Sequence, residues 1–144
     1  VPLARGPPER LGGLVTVAAG PDFTEDGWWA GVAEAQKAEL EAKGQVALPS
    51  DYMEPYIVTK RMVEDGRTRL VLRDPLELPF SVRMLQGTAD TAVSVATATR
   101  LLEHAASPDM QLVLVKDADH RFSDRTCLDL IETAVEEIIA AIEE

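Results

Sequence analysis

Residues 14–19, Leu-Val-Thr-Val-Ala-Ala, form a short β-branched apolar run closed by Gly20-Pro21, the pattern of a buried strand. From residue 28 to 43 the composition turns to Ala, Glu, Gln and Lys, with apolar residues at 29, 32, 33 and 40 and Gly44 as a stop. This predicts one helix. Pro49 and Pro55 punctuate the path to residues 57–64, read as a second helix ending before Gly66, and Asp74-Pro75 marks a turn. Residues 21–79 are thus expected to be a helical excursion between two strands. Ser81-Val82-Arg83-Met84-Leu85-Gln86 alternates and stops at Gly87, while Gln111-Leu112-Val113-Leu114-Val115 is a further apolar run ending at Lys116-Asp117. Between them residues 91–105 have the composition of a helix. Thr126-x-x-Asp129 resembles a capping box and opens a last helix whose Leu128, Ile131, Val135, Ile138 and Ile142 share one face. Residues 1–10 carry three prolines and no apolar period, an irregular lead-in.

Strand, helices, strand, helix, strand, helix is the order of an α/β protein with a largely parallel sheet of about three strands. Parallel sheets are normally buried on both faces by helices, and three strands are few for that arrangement. The pattern therefore predicts a partial domain over residues 1–144. The strand at residues 14–19 should then have an exposed apolar edge, a liability that a dimer or a partner chain would cover.

The chain has 144 residues, 46% apolar and 27% charged, values that exclude disorder and fibrous repeats. Fourteen basic against 25 acidic residues give a net charge of −11, which disfavours nucleic acid and anionic lipid surfaces as partners. No apolar run in the sequence approaches the roughly 20 residues needed to span a bilayer. Cys127 is the single cysteine, so an intrachain disulfide, a CxxC redox pair and a thiolate zinc site are excluded and a reducing compartment is expected. The first residue is Val1 rather than Met, which suggests a processed or truncated product.

Sites in open α/β sheets form beyond the carboxyl ends of the strands. The loops to inspect are residues 87–91 and 116–123, and they hold Asp90 and His120, thirty positions apart. An Asp beside a His can fix the imidazole tautomer and stabilise imidazolium, half of a hydrolytic triad. The same spacing also suits two unconnected polar loop residues. Asp117-Ala118-Asp119 after an apolar strand has the position of an aspartyl-phosphate nucleophile and acid pair, but His120-Arg121-Phe122 follows where a small hydroxyl-bearing turn is needed. Asp117, Asp119 and His120 are a third possibility, as oxygen and nitrogen ligands of a cation, although contiguous ligands are unusual. His104, beside Glu103 in the preceding helix, reads as a solvated helix-end residue.

Leu85-Gln86-Gly87-Thr88-Ala89-Asp90 and Lys116-Asp117-Ala118-Asp119-His120-Arg121 resemble the acid loop and histidine loop of the α/β-hydrolase superfamily. Pro8-Glu9-Arg10-Leu11-Gly12-Gly13-Leu14-Val15 is similar to the stretch entering the strand after that family's nucleophile helix, so the likeness covers nearly the whole chain as a C-terminal portion. Within the superfamily the chain is similar to the mitochondrial palmitoyl-protein thioesterase and acyl-glucuronide hydrolase type and its bacterial relatives. The resemblance implies that Asp90 is the triad acid, that His120 is the general base, and that residues 21–79 are the cap. Trp28, Trp29, Tyr52, Met53 and Tyr56 would be candidates for lining an acyl pocket, or would pack the cap's own core. It calls for an acyl ester or thioester substrate, for no cofactor or metal, and for a mitochondrial location, the alternative being cytosolic. None of Ser50, Ser81, Ser94, Ser107 and Ser123 sits in Gly-x-Ser-x-Gly. The elbow that carries the nucleophile and an oxyanion-hole N–H is therefore expected upstream of Val1, and the chain alone is expected to be inactive. The alternative is a non-catalytic relative or splice form acting through a binding partner.

Overall fold

The computed structural model describes residues 10–49 and 54–143. In chain order these form β1 (Gly13–Val17), a π-helical segment (Phe23–Trp29), α1 (Glu34–Lys43), β2 (Gln45–Leu48), β3 (Tyr56–Thr59) and α2 (Lys60–Arg67). There follow β4 (Leu76–Glu77), β5 (Ser81–Gly87), α3 (Val95–His104), β6 (Ala105–Ala106), β7 (Met110–Val115) and α4 (Arg125–Glu143). The chain divides into two compact units: Asp22–Leu70 is one, and the segments on either side of it make the other.

The larger unit is built on a three-stranded parallel sheet in the order β1-β5-β7, which is the expected α/β class. Leu14 lies opposite Val82 and Thr16 opposite Met84, and Met84 lies opposite Leu112. Successive side chains alternate between faces, and each face has its own core. On one side Val82 and Met84 pack with Val71, Leu72, Leu78, Phe80, Ala98 and Leu101. On the other Leu85 packs with Ala118, Phe122, Cys127 and Ala134. Gly13 allows α4 to lie close against β1, because a Cβ there would stand 2.3 Å from Ile138 Cγ2. Arg83 crosses the same face: its Nε donates to Glu137 at 2.7 Å and its Nη1 to Asp109 at 2.8 Å. The strand expected over residues 14–19 stops at Val17, because Ala18 turns to φ 49° and leads the backbone out of the ladder.

The last helix starts differently from its sequence signature. Asp124, not Thr126, caps it, accepting Cys127 N–H on Oδ1 at 3.0 Å while its backbone carbonyl accepts Leu128 N–H at 3.0 Å. A carboxylate one residue before the helix satisfies these otherwise orphaned donors and suits the dipole. The buried stripe is Cys127, Ala134 and Ile138, so Leu128 and Val135 of the expected face are exposed, as are Ile139 and Ile142. The helix expected over 91–105 begins only at Val95, where Ser94 accepts Thr97 N–H. Among the described residues no helix is long and apolar enough to cross a membrane.

The smaller unit departs most from expectation. The single helix expected over 28–43 is broken: a π-helical segment ends at Trp29, and Ala33 is extended before α1 begins at Glu34. Gly31 and β-branched Val32 are weak helix formers, and the break lets Trp28, Trp29 and Val32 all reach the core of Leu40, Val46, Leu48, Val58 and Val63. The helix expected over 57–64 is half strand. Tyr56, Ile57, Val58 and Thr59 pair antiparallel with β2, since aromatic and β-branched residues suit a pleated surface better than a helix. Thr59 then caps α2 by accepting Met62 N–H. The helix runs on through Gly66, where a Cβ would lie 2.2 Å from Thr24 Oγ1.

Met84 is 2% exposed and Leu114, one strand away, is 46% exposed. Met84→Ala is expected to destabilise the chain by about 2–5 kcal/mol, and Leu114→Ala by no more than about 0.5 kcal/mol; chemical denaturation checks both.

Candidate active site

Asp90 follows the carboxyl end of β5 and His120 follows that of β7, and the parallel pairing of these strands, Gly87 opposite Val115, sets their loops side by side. The loops are then laced together. Thr88 N–H donates to the Val115 carbonyl at 2.9 Å and Ala89 N–H to the Ala118 carbonyl at 3.0 Å. The Thr88 hydroxyl accepts Asp117 N–H at 2.9 Å. Gly87 makes this approach possible: a Cβ at that position would lie 2.1 Å from the Ala118 carbonyl oxygen.

Each loop is shaped from within by a carboxylate. Asp90 Oδ1 accepts the N–H groups of Ala92 and Val93, both at 2.8 Å. Asp119 Oδ1 accepts those of Arg121 at 3.1 Å and Phe122 at 3.2 Å. Phe122 has φ 50°, a left-handed conformation that a bulky residue holds only when its surroundings over-determine it. Here its ring is buried with Leu85 and Cys127. His120 is carried on the short segment between that anchor and Asp119.

The result is a contact of 3.0 Å between His120 Nδ1 and Asp90 Oδ2, with the Asp90 side chain 0% exposed and that of His120 41%. Burial pushes the Asp90 carboxyl upward, but hydrogen bonds from Val93 N–H, His120, Gln86 and Ala92 N–H outweigh it and hold the group below its ordinary value. An ionised carboxylate only accepts, so Nδ1 carries the hydrogen and neutral His120 keeps its lone pair on Nε2. The arrangement can take a proton at Nε2 and stabilise the resulting imidazolium from behind.

The other sequence candidates separate from this pair. Asp117 adopts φ 61° and Asp119 is occupied by the turn, and among the described residues no three His, Cys, Asp or Glu groups converge as a metal would require. His104 Nε2 donates to the Asp74 carbonyl at 2.9 Å, a structural contact. Burial, and then the Asp124 carboxylate, push the Cys127 thiol up to about 11, which leaves no thiolate nucleophile at neutral pH. Ser94 caps α3 and the Ser107 hydroxyl donates to the Phe80 carbonyl. In the smaller unit Trp28 meets Phe23 edge-to-face at 5.2 Å and Tyr56 at a tilt at 5.8 Å between ring centroids, and the Trp29 ring lies 5.4 Å from Lys37 Nζ and 4.9 Å from Arg67 Cζ. Tyr52 and Met53 lie outside the described residues. Sequence reasoning missed Gln86, Thr88 and Phe122. For Gln86 a signal existed, since strand alternation puts this polar residue on the same face as Val82 and Met84.

Comparison with solved structures relates the chain to a known fold. A candidate hydrolase from Agrobacterium vitis S4 superposes with a TM-score of 0.85 at 35% identity, over 88% of this chain and 49% of that one. The chain folds as part of an α/β-hydrolase domain. The mouse α/β-hydrolase domain-containing protein 10 also shares this α/β-hydrolase fold, with a TM-score of 0.80 at 22% identity over 92% of this chain and 54% of that one. Among curated proteins, the mitochondrial palmitoyl-protein thioesterase ABHD10 of Mus musculus is 28% identical over 134 residues, 92% of this chain and 45% of that protein. The Rattus norvegicus protein of the same name is 26% identical over the same shares. The chain thus spans about half the length of the relatives it matches. No protein-family model matches it.

Gly87→Ala is expected to force the two loops apart, lowering stability by about 1–3 kcal/mol and breaking the His120–Asp90 contact. Thermal melting and the His120 Nδ1–H proton resonance check these effects. Because the folded Asp90 value lies below its ordinary 3.8, its contribution to stability is complete above that pH and is lost as pH falls through the folded value. Asp109 and Asp124 are lowered as well, so Asp90→Asn isolates the effect. The stability advantage of the native chain over that variant should shrink on acidification below 3.8, measured by melting temperature against pH.

Proposed function

We propose that this chain supplies the acid and the general base of a serine hydrolase acting on acyl esters or thioesters, with the nucleophile contributed from outside these 144 residues. The observation that carries this reading is the 3.0 Å contact of buried Asp90 with half-exposed His120 beyond the ends of neighbouring parallel strands. In this reading His120 Nε2 takes the hydroxyl proton of a serine as it attacks the acyl carbonyl. Nε2 later returns the proton to the leaving alcohol or thiol. Asp90 keeps Nδ1–H in place and favours the charged ring. The names of the ABHD10 relatives support a thioester substrate with a long acyl chain and a mitochondrial location. Residues 21–79 are the cap in this proposal, with Trp28, Trp29 and Tyr56 among the described residues as candidates for the acyl pocket.

The sheet supports the assignment of the nucleophile to a missing part. Among the described residues β1 pairs only with β5, so its outer edge is free to receive the strand that would lead into a nucleophile elbow. Without that elbow no oxyanion hole forms, and triad loss alone removes roughly a millionfold of turnover in a well-studied serine protease. A fluorophosphonate probe tests the proposal on this chain and on one extended toward its N terminus by about 120 residues. Labelling of the extended form only, lost in His120→Ala, is the expected result. Labelling of neither form would overturn it in favour of a non-catalytic relative.

A further inference from the structure

Gln86 is the penultimate residue of β5 and is 1% exposed. A long polar side chain in such a place needs partners for its amide, and here the nitrogen has them while Oε1 is buried without one among the described residues. Its Nε2 lies 3.0 Å from Asp90 Oδ2, 3.0 Å from the Val93 carbonyl and 3.1 Å from the Gly87 carbonyl. All three neighbours are acceptors, which fixes that atom as the nitrogen, since an amide oxygen there would face three other oxygens.

The donors around Asp90 are not equivalent. The N–H groups of Ala92 and Val93 hold Oδ1, but they belong to the loop that Asp90 itself starts and move with it. His120 holds Oδ2, but it is the group to be positioned. Gln86 alone among these donors stands on the sheet. Its single amide reaches both ends of the loop, Asp90 at the start and the Val93 carbonyl at the finish.

We infer that Gln86 is a positioning residue, which anchors to the sheet the same carboxylate oxygen that receives His120 Nδ1–H. The inference rests on the hydrolase reading and extends it by one residue. With Gln86 in place Oδ2 is fixed before the imidazole arrives, and the carboxylate keeps its charge while the ring gains a proton. Without it Oδ2 is held only by the partner it is meant to orient.

The test uses NMR on the full chain, labelled with ¹³C and ¹⁵N. In Gln86→Leu the Asp90 carboxyl titration midpoint is expected to rise by about one pH unit, the effect of removing one hydrogen bond to a charged group. In Gln86→Glu, where a second carboxylate shares the site, it should rise further. The His120 Nδ1–H resonance should shift or broaden in both. The native protein provides an independent reading, because the Gln86 side-chain amide resonances should move with the Asp90 midpoint; this alone decides if the variants do not fold. An unchanged Asp90 midpoint in a folded Gln86→Leu chain, or native amide resonances indifferent to Asp90 ionisation, would overturn the assignment. The underlying reading fails separately: if Asp90→Asn leaves the His120 ring signals untouched, acid and base do not act as a pair, whatever Gln86 does.

Discussion

A carboxylate taken wholly out of water keeps its charge only if donors replace the lost hydration, and Asp90 is such a group. Its two oxygens accept from Ala92 and Val93 N–H on one side and from Gln86 and His120 on the other. These donors come from a loop, a strand and the neighbouring loop, so satisfying one charge ties three pieces of the larger unit together. The parallel pairing of β5 with β7, the glycine at 87 and the left-handed turn at Phe122 are all needed for that saturation.

The two faces of the sheet divide the work. On one, Val82 and Met84 join Ala98 and Leu101 of α3 in an apolar core, so the strand that leads to Asp90 is held rigidly. On the other, α4 is bound by Ala134 and Ile138 and by the ion pair of Arg83 with Glu137. That second face also buries Phe122 and Cys127, which fixes the histidine loop from below. Stability and site geometry therefore share residues, and a void under Phe122 would loosen the core and release His120 together.

The larger unit was legible because its strands obey a simple rule. The run at residues 111–115, bounded by Asp109 and Asp117, reads as a near-continuous apolar segment and pairs in parallel with β5, although Val113 and Leu114 are exposed. The two loops that hold Asp90 and His120 were legible too, since polar groups gather just past the carboxyl ends of such strands. In the smaller unit local composition misled. Residues 60–64 carry the Lys, Arg, Met and Glu that favour a helix and form one, but Tyr56, Ile57, Val58 and Thr59 before them are β formers that pair with residues 45–48. At the start of α4 the cap is Asp124, two residues before the Thr126 read from the sequence, because its carboxylate and carbonyl accept the first free N–H groups of the helix.

By itself the sequence determined the fold class, the order of the parallel strands' segments and the two loops that carry the polar pair, because each follows from local periodicity and turn chemistry. Tertiary structure decided what those residues do to one another. That the Asp90 carboxylate is buried, that Gln86 turns its amide toward it, and that Gly87 lies against the Ala118 carbonyl depend on the register between β5 and β7. Register is a relation between segments far apart in the chain, and no local pattern encodes it.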